Sequence, residues 1–304
     1  MLPFDIHILG CGAALPTPRR LSSAQVVNIR QKLFLLDCAE GAQMALRRTH
    51  LNLSRLQAIL LTHLHGDHAF GLIGLLSTLG LLGRNQELHI YGPKDLQRIF
   101  QPQIDYFCAD SPYPIILHEI ETKTPQTIYE DRSLSITTIP LHHRIPCQGY
   151  LLREKPTLPH IRREAIDYYQ IPISQINNIK AGMDWVTPDG ETIPNQRLTT
   201  PSDPVRSYAY CTDTSYFPDI IPHIQGVTCL YHEATFAQEH ALLAKQTHHS
   251  TAAQAAQIAR DAGVQKLIIG HFSSRYKTEA PLLEEAQQFF PNTILAQDGM
   301  TIQL

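Results

Sequence analysis

His63-Leu64-His65-Gly66-Asp67-His68 places three imidazoles and a carboxylate within six residues. Neutral imidazole and carboxylate are the borderline ligands that suit a divalent ion such as zinc. A lone histidine at a turn is usually a surface residue, whereas four metal-competent groups at this density read as a metal site. The same residue types recur at three other places. The run 134–139 leads into His142-His143, the run 208–211 into Asp213, and the run 266–270 into His271. Each apolar run ends in a His or an Asp, the layout expected where strand ends converge on one centre.

The elements that must hold these groups follow from patterning. Residues 56–61 are short and apolar and read as a buried strand, and 69–82 reads as a packed helix, so the first cluster lies between strand and helix. On the last extended residues, positions two apart point the same way, so His63 and His65 can share an ion. Of His142 and His143 only one can face the same side. Further strand-like runs occupy 32–36, 88–91, 227–231 and 293–296, and helical patterns occupy 251–262 and 281–290. Mixed strands and helices argue an α/β layered fold. Residues 153–206 break the rhythm, with prolines at 156, 159, 172, 188, 194, 201 and 204 and seven basic and seven acidic side chains. This stretch, with one helix-like piece at 159–170 and a turn at 188–190, reads as an arm inserted between core segments 1–152 and 207–304.

Composition sets the remaining bounds. The 304 residues are 43% hydrophobic and 17% charged, which is ordinary for a globular chain. The net charge of −3 means that a polyanionic partner must be met by local basic groups. The six cysteines include no Cys-x-x-Cys pair and read as reduced core thiols of a cytosolic protein. Residues 1–10 read as a first strand rather than a signal peptide. The uncharged run 69–83 is shorter than the ~20 residues of a membrane span. A cytoplasmic location is the expectation.

The His-x-His-x-Asp-His pattern resembles the signature of the metallo-β-lactamase superfamily. The resemblance implies a four-layered αββα sandwich with one or two metals at the strand ends. Assembled on that frame, His63, His65, His143 and Asp213 hold one ion, and Asp67, His68, Asp213 and His271 the other. Asp213 bridges, since a carboxylate has two oxygens. The choice of His143 over His142 follows the pattern His-x-Ile-Pro-x-x-Gly-Tyr, met by His143 to Tyr150.

Further motifs narrow the resemblance. Asp37-Cys38-Ala39-Glu40-Gly41-Ala42-Gln43, Asp213-Thr214, His232-Glu233-Ala234-Thr235-Phe236, His248-His249-Ser250-Thr251 and His271-Phe272-Ser273-Ser274-Arg275-Tyr276 occur in order along nearly the whole chain. Together they resemble the ribonuclease Z family of tRNA 3′-processing endonucleases. The chain departs from that pattern at Ala39 and Ala42, and its arm lacks the Gly-Pro element that precedes Ile179-Lys180-Ala181-Gly182. The resemblance implies two Zn²⁺ per chain, a precursor-tRNA substrate, an arm that acts as a tRNA-binding exosite, and a homodimer. It implies Asp67 as general base and His249, oriented by Glu233, as the acid for the leaving oxygen. Arg275, Ser273 and Ser274 then bind phosphate, and Arg19 and Arg20 contact the RNA end. Two rival readings use the same features. A hydrolase of small phosphodiesters or other esters would not need the arm, and a non-catalytic RNA-binding relative would not need His249.

Overall fold

In a computed structural model, which describes residues 2–304, the chain builds two seven-stranded mixed sheets. The first runs Thr301–Gln303, Phe4–Gly10, Ala24–Ile29, Lys32–Leu36, Leu56–Leu60, Leu88–Pro93 and Ile115–Ile120. The second runs Thr293–Leu295, Leu267–Gly270, Cys229–Glu233, Ser207–Cys211, Gln148–Glu154, Leu134–Pro140 and Thr127–Glu130. The strand read at 1–10 begins at Phe4, and Met1 lies outside the described residues.

Strand Lys32–Leu36 shows why the sheets stack. Phe34 and Leu36 face the apolar layer shared with Ile136, Tyr150 and Tyr210 of the second sheet. Leu33 and Leu35 face the opposite way, onto Leu46, Leu72, Leu75 and Phe100 of the helices. A strand buried on both faces reads as a continuous apolar run, which is why this one was legible. Helices Ala42–Arg48, Leu72–Leu81 and Leu96–Phe107 thus cover the first sheet. Helices Ala252–Asp261 and Ala280–Phe289 pack on the second. The result is the four-layered αββα sandwich that the superfamily resemblance implies.

Two sequence boundaries shift. The helix read at 69–82 is divided into Gly66–Ala69 and Leu72–Leu81. At the division, Gly71 N–H donates to Cys38 O (2.8 Å), and a Cβ there would lie 2.1 Å from Ala39 O. Only glycine permits that approach. The helix read at 251–262 starts at Ala252, capped by Thr251 in a reciprocal box with Gln254.

Residues 160–200 carry short elements of their own. Two-residue strand pairs, His160–Ile161 with Thr199–Thr200 and Trp185–Val186 with Thr192–Ile193, accompany helices Arg163–Tyr168, Ile173–Lys180 and Asn195–Leu198. Ala165, Ile171, Ile179, Ile193 and Leu198 pack into a separate small cluster. The helix Ile173–Lys180 was not foreseen, because Ser, Gln and Asn interrupt its apolar spacing. At the root, Arg206 Nε and Nη2 donate to the two oxygens of buried Glu154 (2.9 and 2.8 Å), and Arg30 Nε donates to one of them (3.0 Å). All six cysteines are buried and free.

Candidate metal centre

The carboxyl ends of parallel strands from both sheets meet at one edge of the sandwich. Asp37, Asp213 and His271, each just past a strand, have φ of 56, 48 and 59°. Left-handed backbone costs a residue with a Cβ roughly 1–2 kcal/mol, and Asp and His tolerate it better than bulkier types. It turns the chain abruptly, so the side chain projects over the sheet edge. Such strain clusters where the surrounding structure enforces it for use.

Two groups of donor atoms converge there, His63, His65, His143 and Asp213 in one and Asp67, His68 and His271 in the other, and a third, of Asp213, His249 and His271, overlaps both. His63 Nε2 and His143 Nε2 lie 2.8 and 3.4 Å from His65 Nδ1. Ligands at ~2.0–2.1 Å around a tetrahedral ion stand about 3.4 Å apart, so this spacing fits. Asp213 lies between the groups. Its Oδ2 faces His63 Nε2 (3.6 Å) and His143 Nε2 (3.8 Å), while its Oδ1 faces His68 Nε2 (3.2 Å) and His271 Nε2 (3.1 Å). Asp67 Oδ2 stands 3.6 Å from His68 Nε2 and 3.9 Å from His271 Nε2, and accepts from Ala14 N–H (2.8 Å). His68 Nε2 and His271 Nε2 are buried with no hydrogen-bond partner among the described residues. An orphaned, inward-facing imidazole nitrogen beside a carboxylate is what a metal ligand looks like.

The outward nitrogens of these rings are anchored, by a scheme that appears twice. Asp37 Oδ2 accepts from His68 Nδ1–H (2.8 Å), and Asp37 Oδ1 accepts from Thr62 Oγ1–H (3.0 Å), whose oxygen in turn accepts from His63 Nδ1–H (3.1 Å). Glu233 Oε1 accepts from His249 Nδ1–H (2.8 Å), and Glu233 Oε2 accepts from Thr235 Oγ1–H (2.5 Å), whose oxygen accepts from His271 Nδ1–H (2.9 Å). One fully buried carboxylate from each sheet therefore orients two imidazoles, one directly and one through a threonine. His143 Nδ1–H donates to His248 O (3.0 Å). Partners of this kind fix which nitrogen is free to ligate.

The electrostatics follow burial and pairing. Burial holds His63 and His143 below the ordinary imidazole range, His143 at about 4. Burial acts on His68 too, but the Asp213 and Asp37 carboxylates drive it well above that range. A proton and a metal ion are alternatives at such a nitrogen. Burial would raise the Asp213 carboxyl, yet His271, His68 and His63 keep it well below the usual carboxylate range. His249 is opposed by burial but raised to about 9 by Glu233.

The pocket over this cluster holds about 360 Å³ and is lined by Asp67, Phe70, His143, Arg144, His249 and His271 among others. The other sequence candidates stand farther out. Arg275 packs over the Phe236 ring (5.1 Å), and its Nε donates to Ser273 Oγ (3.3 Å), while Ser274 is exposed. Arg20 pairs with Glu279 and donates to Tyr276 O (3.0 Å), and Arg19 donates to Lys277 O (2.5 Å). Both arginines line a different cavity, of about 490 Å³, shared with Arg48 and Asp298. Asp37 and Thr235 fall within motifs quoted from the sequence but carry no role there, and Thr62 and Arg144 are given none either. Asp37 had a usable signal, since it too ends an apolar run. Arg144 follows a candidate ligand directly, and Thr62 carries no local signal.

Known proteins bear on this geometry. A family model described as beta-lactamase superfamily domain matches residues 32–159 and 196–272. A protein named Ribonuclease Z from Bacteroides thetaiotaomicron is 56% identical over all 304 residues and 96% of its own length. Another so named, from Porphyromonas gingivalis, is 49% identical over the full length of both chains. Among solved structures, the short form of human tRNase Z superposes with a TM-score of 0.71 at 25% identity, covering 98% of each chain. The metallo-beta-lactamase fold protein YhfI from Bacillus subtilis superposes with a TM-score of 0.69 at 19% identity, covering 99% of this chain and all of its own, which speaks to the fold alone.

Proposed function

We infer how this chain, which belongs to the ribonuclease Z family and is an endoribonuclease of tRNA 3′ processing, uses its strand-end cluster. The reading is a centre of two zinc ions, one held by His63, His65, His143 and Asp213, the other by Asp67, His68, Asp213 and His271. The observation that carries it is Asp213, whose two oxygens face different histidine pairs. Zinc bound there would polarise a phosphoryl oxygen and bring the pKa of a shared water towards ~7.

The chain's own groups supply the rest. Asp67, the more exposed of the two ligand carboxylates, orients the attacking water and takes its proton. His249 is the acid. Its Nδ1 is committed to Glu233, so Nε2–H is the proton that can be given. As water adds to phosphorus, the bond from phosphorus to the tRNA 3′-oxygen breaks, and that oxygen takes the His249 proton. The products are a tRNA 3′-OH and a trailer with a 5′-phosphate. Glu233 keeps the ring in the correct tautomer and orientation, the role of the carboxylate in a hydrolase triad. Arg144 at the pocket lip joins Arg275, Ser273 and Ser274 as phosphate donors, and Arg19 and Arg20 brace the loop by the RNA end.

Residues 153–206 serve as the tRNA exosite, and core segments 1–152 and 207–304 carry the chemistry. Exposed Leu81, Tyr106 and Phe107 flank a hollow of about 280 Å³ on the helices of the first sheet. That apolar patch supports a homodimer contact. No helix among the described residues is long and apolar enough to cross a membrane. Free buried thiols suit a reducing cytoplasm. The test is incubation of the metal-loaded protein with precursor tRNA and mapping of both product ends. Cleavage of nitrophenyl diesters alone, with the precursor left intact, would favour a small-ester hydrolase instead.

A further inference from the structure

Two histidines without a task in the metal centre stand beside it. His142 precedes the candidate ligand His143, and His248 precedes the candidate acid His249. The structure brings the unassigned pair together. Their ring centroids lie 5.5 Å apart at 80°, and His142 is also 5.8 Å from Phe217. One residue further along each segment, His143 and His249 form a second pair, 5.2 Å apart and tilted at 53°. The site therefore has two tiers of paired imidazoles, displaced by one residue, about 3.8 Å of backbone. The inner tier lines the pocket over the cluster, and the outer tier follows one residue away along each segment.

The outer tier is held by backbone alone. His142 N–H donates to Thr214 Oγ1 (3.1 Å), and Ser215 N–H donates to His142 O (2.9 Å). His248 lends its carbonyl to His143 Nδ1. Neither ring makes a side-chain hydrogen bond or ion pair among the described residues, and neither belongs to a group of metal-competent atoms. The His142 ring is exposed, while His248 and Phe217 are half-buried. His248 also ends helix Ala241–Thr247 at φ 58°, where glycine or asparagine is the usual residue. An imidazole there accepts backbone strain without contributing to the core.

We propose that His142, His248 and Phe217 form a stacking cradle for the nucleobase next to the scissile phosphate. Single-stranded RNA is held by splaying unstacked bases against aromatic and imidazole faces, and such contacts tolerate any base. A cradle one residue out from the acid can fix the adjoining nucleotide while the inner tier acts on its phosphate. The inference rests on the RNA-cleaving reading above.

The test uses two precursor tRNAs, with 2-aminopurine either as the last tRNA nucleotide or as the first trailer nucleotide. Stopped-flow mixing with the metal-loaded protein should quench one of the two probes before turnover. His142→Ala should abolish that quench and raise KM about tenfold, in the range of one lost base stack. His142→Phe should restore both, because the face and not the ring nitrogens is used. His248→Gly relieves the backbone, so it should melt no lower than the parent and still raise KM. Parental KM in His142→Ala, or no quench at either position, overturns the cradle. So does a salt dependence of binding that falls by about one unit of slope without any change in fluorescence, the mark of a lost phosphate contact. A parent that cuts precursor tRNA but shows no quench removes the cradle alone. A parent that cuts no RNA removes the function it rests on, and the cradle with it.

Discussion

Replacing Asp37 by Asn should strip one metal ion and spare the other. Asp37 is fully buried and touches neither ion's expected position, so its effect is transmitted through His68. Its Oδ1 accepts from Thr62 N–H (2.8 Å) and Thr62 Oγ1–H (3.0 Å), and its Oδ2 accepts from His68 Nδ1–H (2.8 Å) and Tyr210 O–H (3.0 Å). Asparagine has one acceptor oxygen. The Thr62 backbone donor cannot rotate away, so the oxygen stays on that side and the amide NH₂ faces His68 and Tyr210. Tyr210 can turn its hydroxyl and accept. His68 cannot keep a proton on Nδ1 against an NH₂ group, so the proton moves to Nε2, the atom facing Asp213 Oδ1 at 3.2 Å. To ligate a metal the ring must return the proton to Nδ1 and leave a buried donor unsatisfied, at a cost of ~1–3 kcal/mol. At 1.4 kcal/mol per tenfold, affinity for that ion falls roughly 5- to 150-fold, overlapping the 10- to 100-fold usual for such outer partners.

The ion that His63, His65 and His143 would hold shares only Asp213 with its proposed neighbour, and Thr62 keeps its acceptor. Its affinity should fall less than about threefold, on the usual weakness of coupling between separate networks. Competition with a graded series of chelators, read by metal content and by nitrophenyl-diester hydrolysis, resolves the two losses. Circular dichroism checks that the near-isosteric variant is folded. Two parental affinities in Asp37→Asn, or loss of the His63-His65-His143 ion first, would refute the tautomer argument.

Three more outcomes follow from the same geometry. Asp213→Ala should weaken both ions and His143→Ala chiefly one, since only Asp213 faces both histidine pairs; metal analysis of the purified variants decides. His249→Ala should retain both metals yet cleave precursor tRNA ~10²–10⁴-fold slower, with a smaller loss on a nitrophenyl diester whose leaving group needs little protonation. Equal losses on the two substrates would count against an acid. Replacing residues 155–202 by a short Gly-Ser link should abolish precursor-tRNA cleavage and leave nitrophenyl-diester hydrolysis largely intact, because remote binding positions RNA without joining the chemistry. Precursor processing at the parental rate would make the arm a passive excursion.

The centre could be read in advance to the extent that its residues announce themselves locally. His63 to His68 sit within six positions, and Asp213 and His271 end runs so apolar that only a buried strand suits them. Asp37 satisfies the same rule after Lys32–Leu36, and its motif stands in the sequence reading without a role for the carboxylate. One carboxylate past a strand says nothing until the pairing of Leu36 with Leu60 brings it to the neighbouring strand's end, and until Tyr210 reaches it across the sandwich. Those contacts span 31 and 173 positions to His68 and Tyr210, and no periodicity encodes them. Strand Ala24–Ile29 was hidden for a related reason. Gln25 is fully buried and accepts from the Tyr208 hydroxyl of the other sheet, so a core position carries a polar residue.

The same fact explains why the candidate ligands lie past the strands and not within them. Side chains inside the sheets are committed to the apolar layers on both faces, where an unpaired carboxylate is costly. A polar residue can be buried without that cost where two sheets end together, because backbone donors are free there. Glu233 takes three of them, from Thr214, Thr235 and Ser250, and Asp37 takes one from Thr62. These two carboxylates can then afford to hold four imidazoles, and the left-handed turns at Asp37, Asp213 and His271 aim the last residues of each strand into the shared edge. Sandwich packing thus decides where a dinuclear centre can be built, and the turn residues decide which atoms reach it.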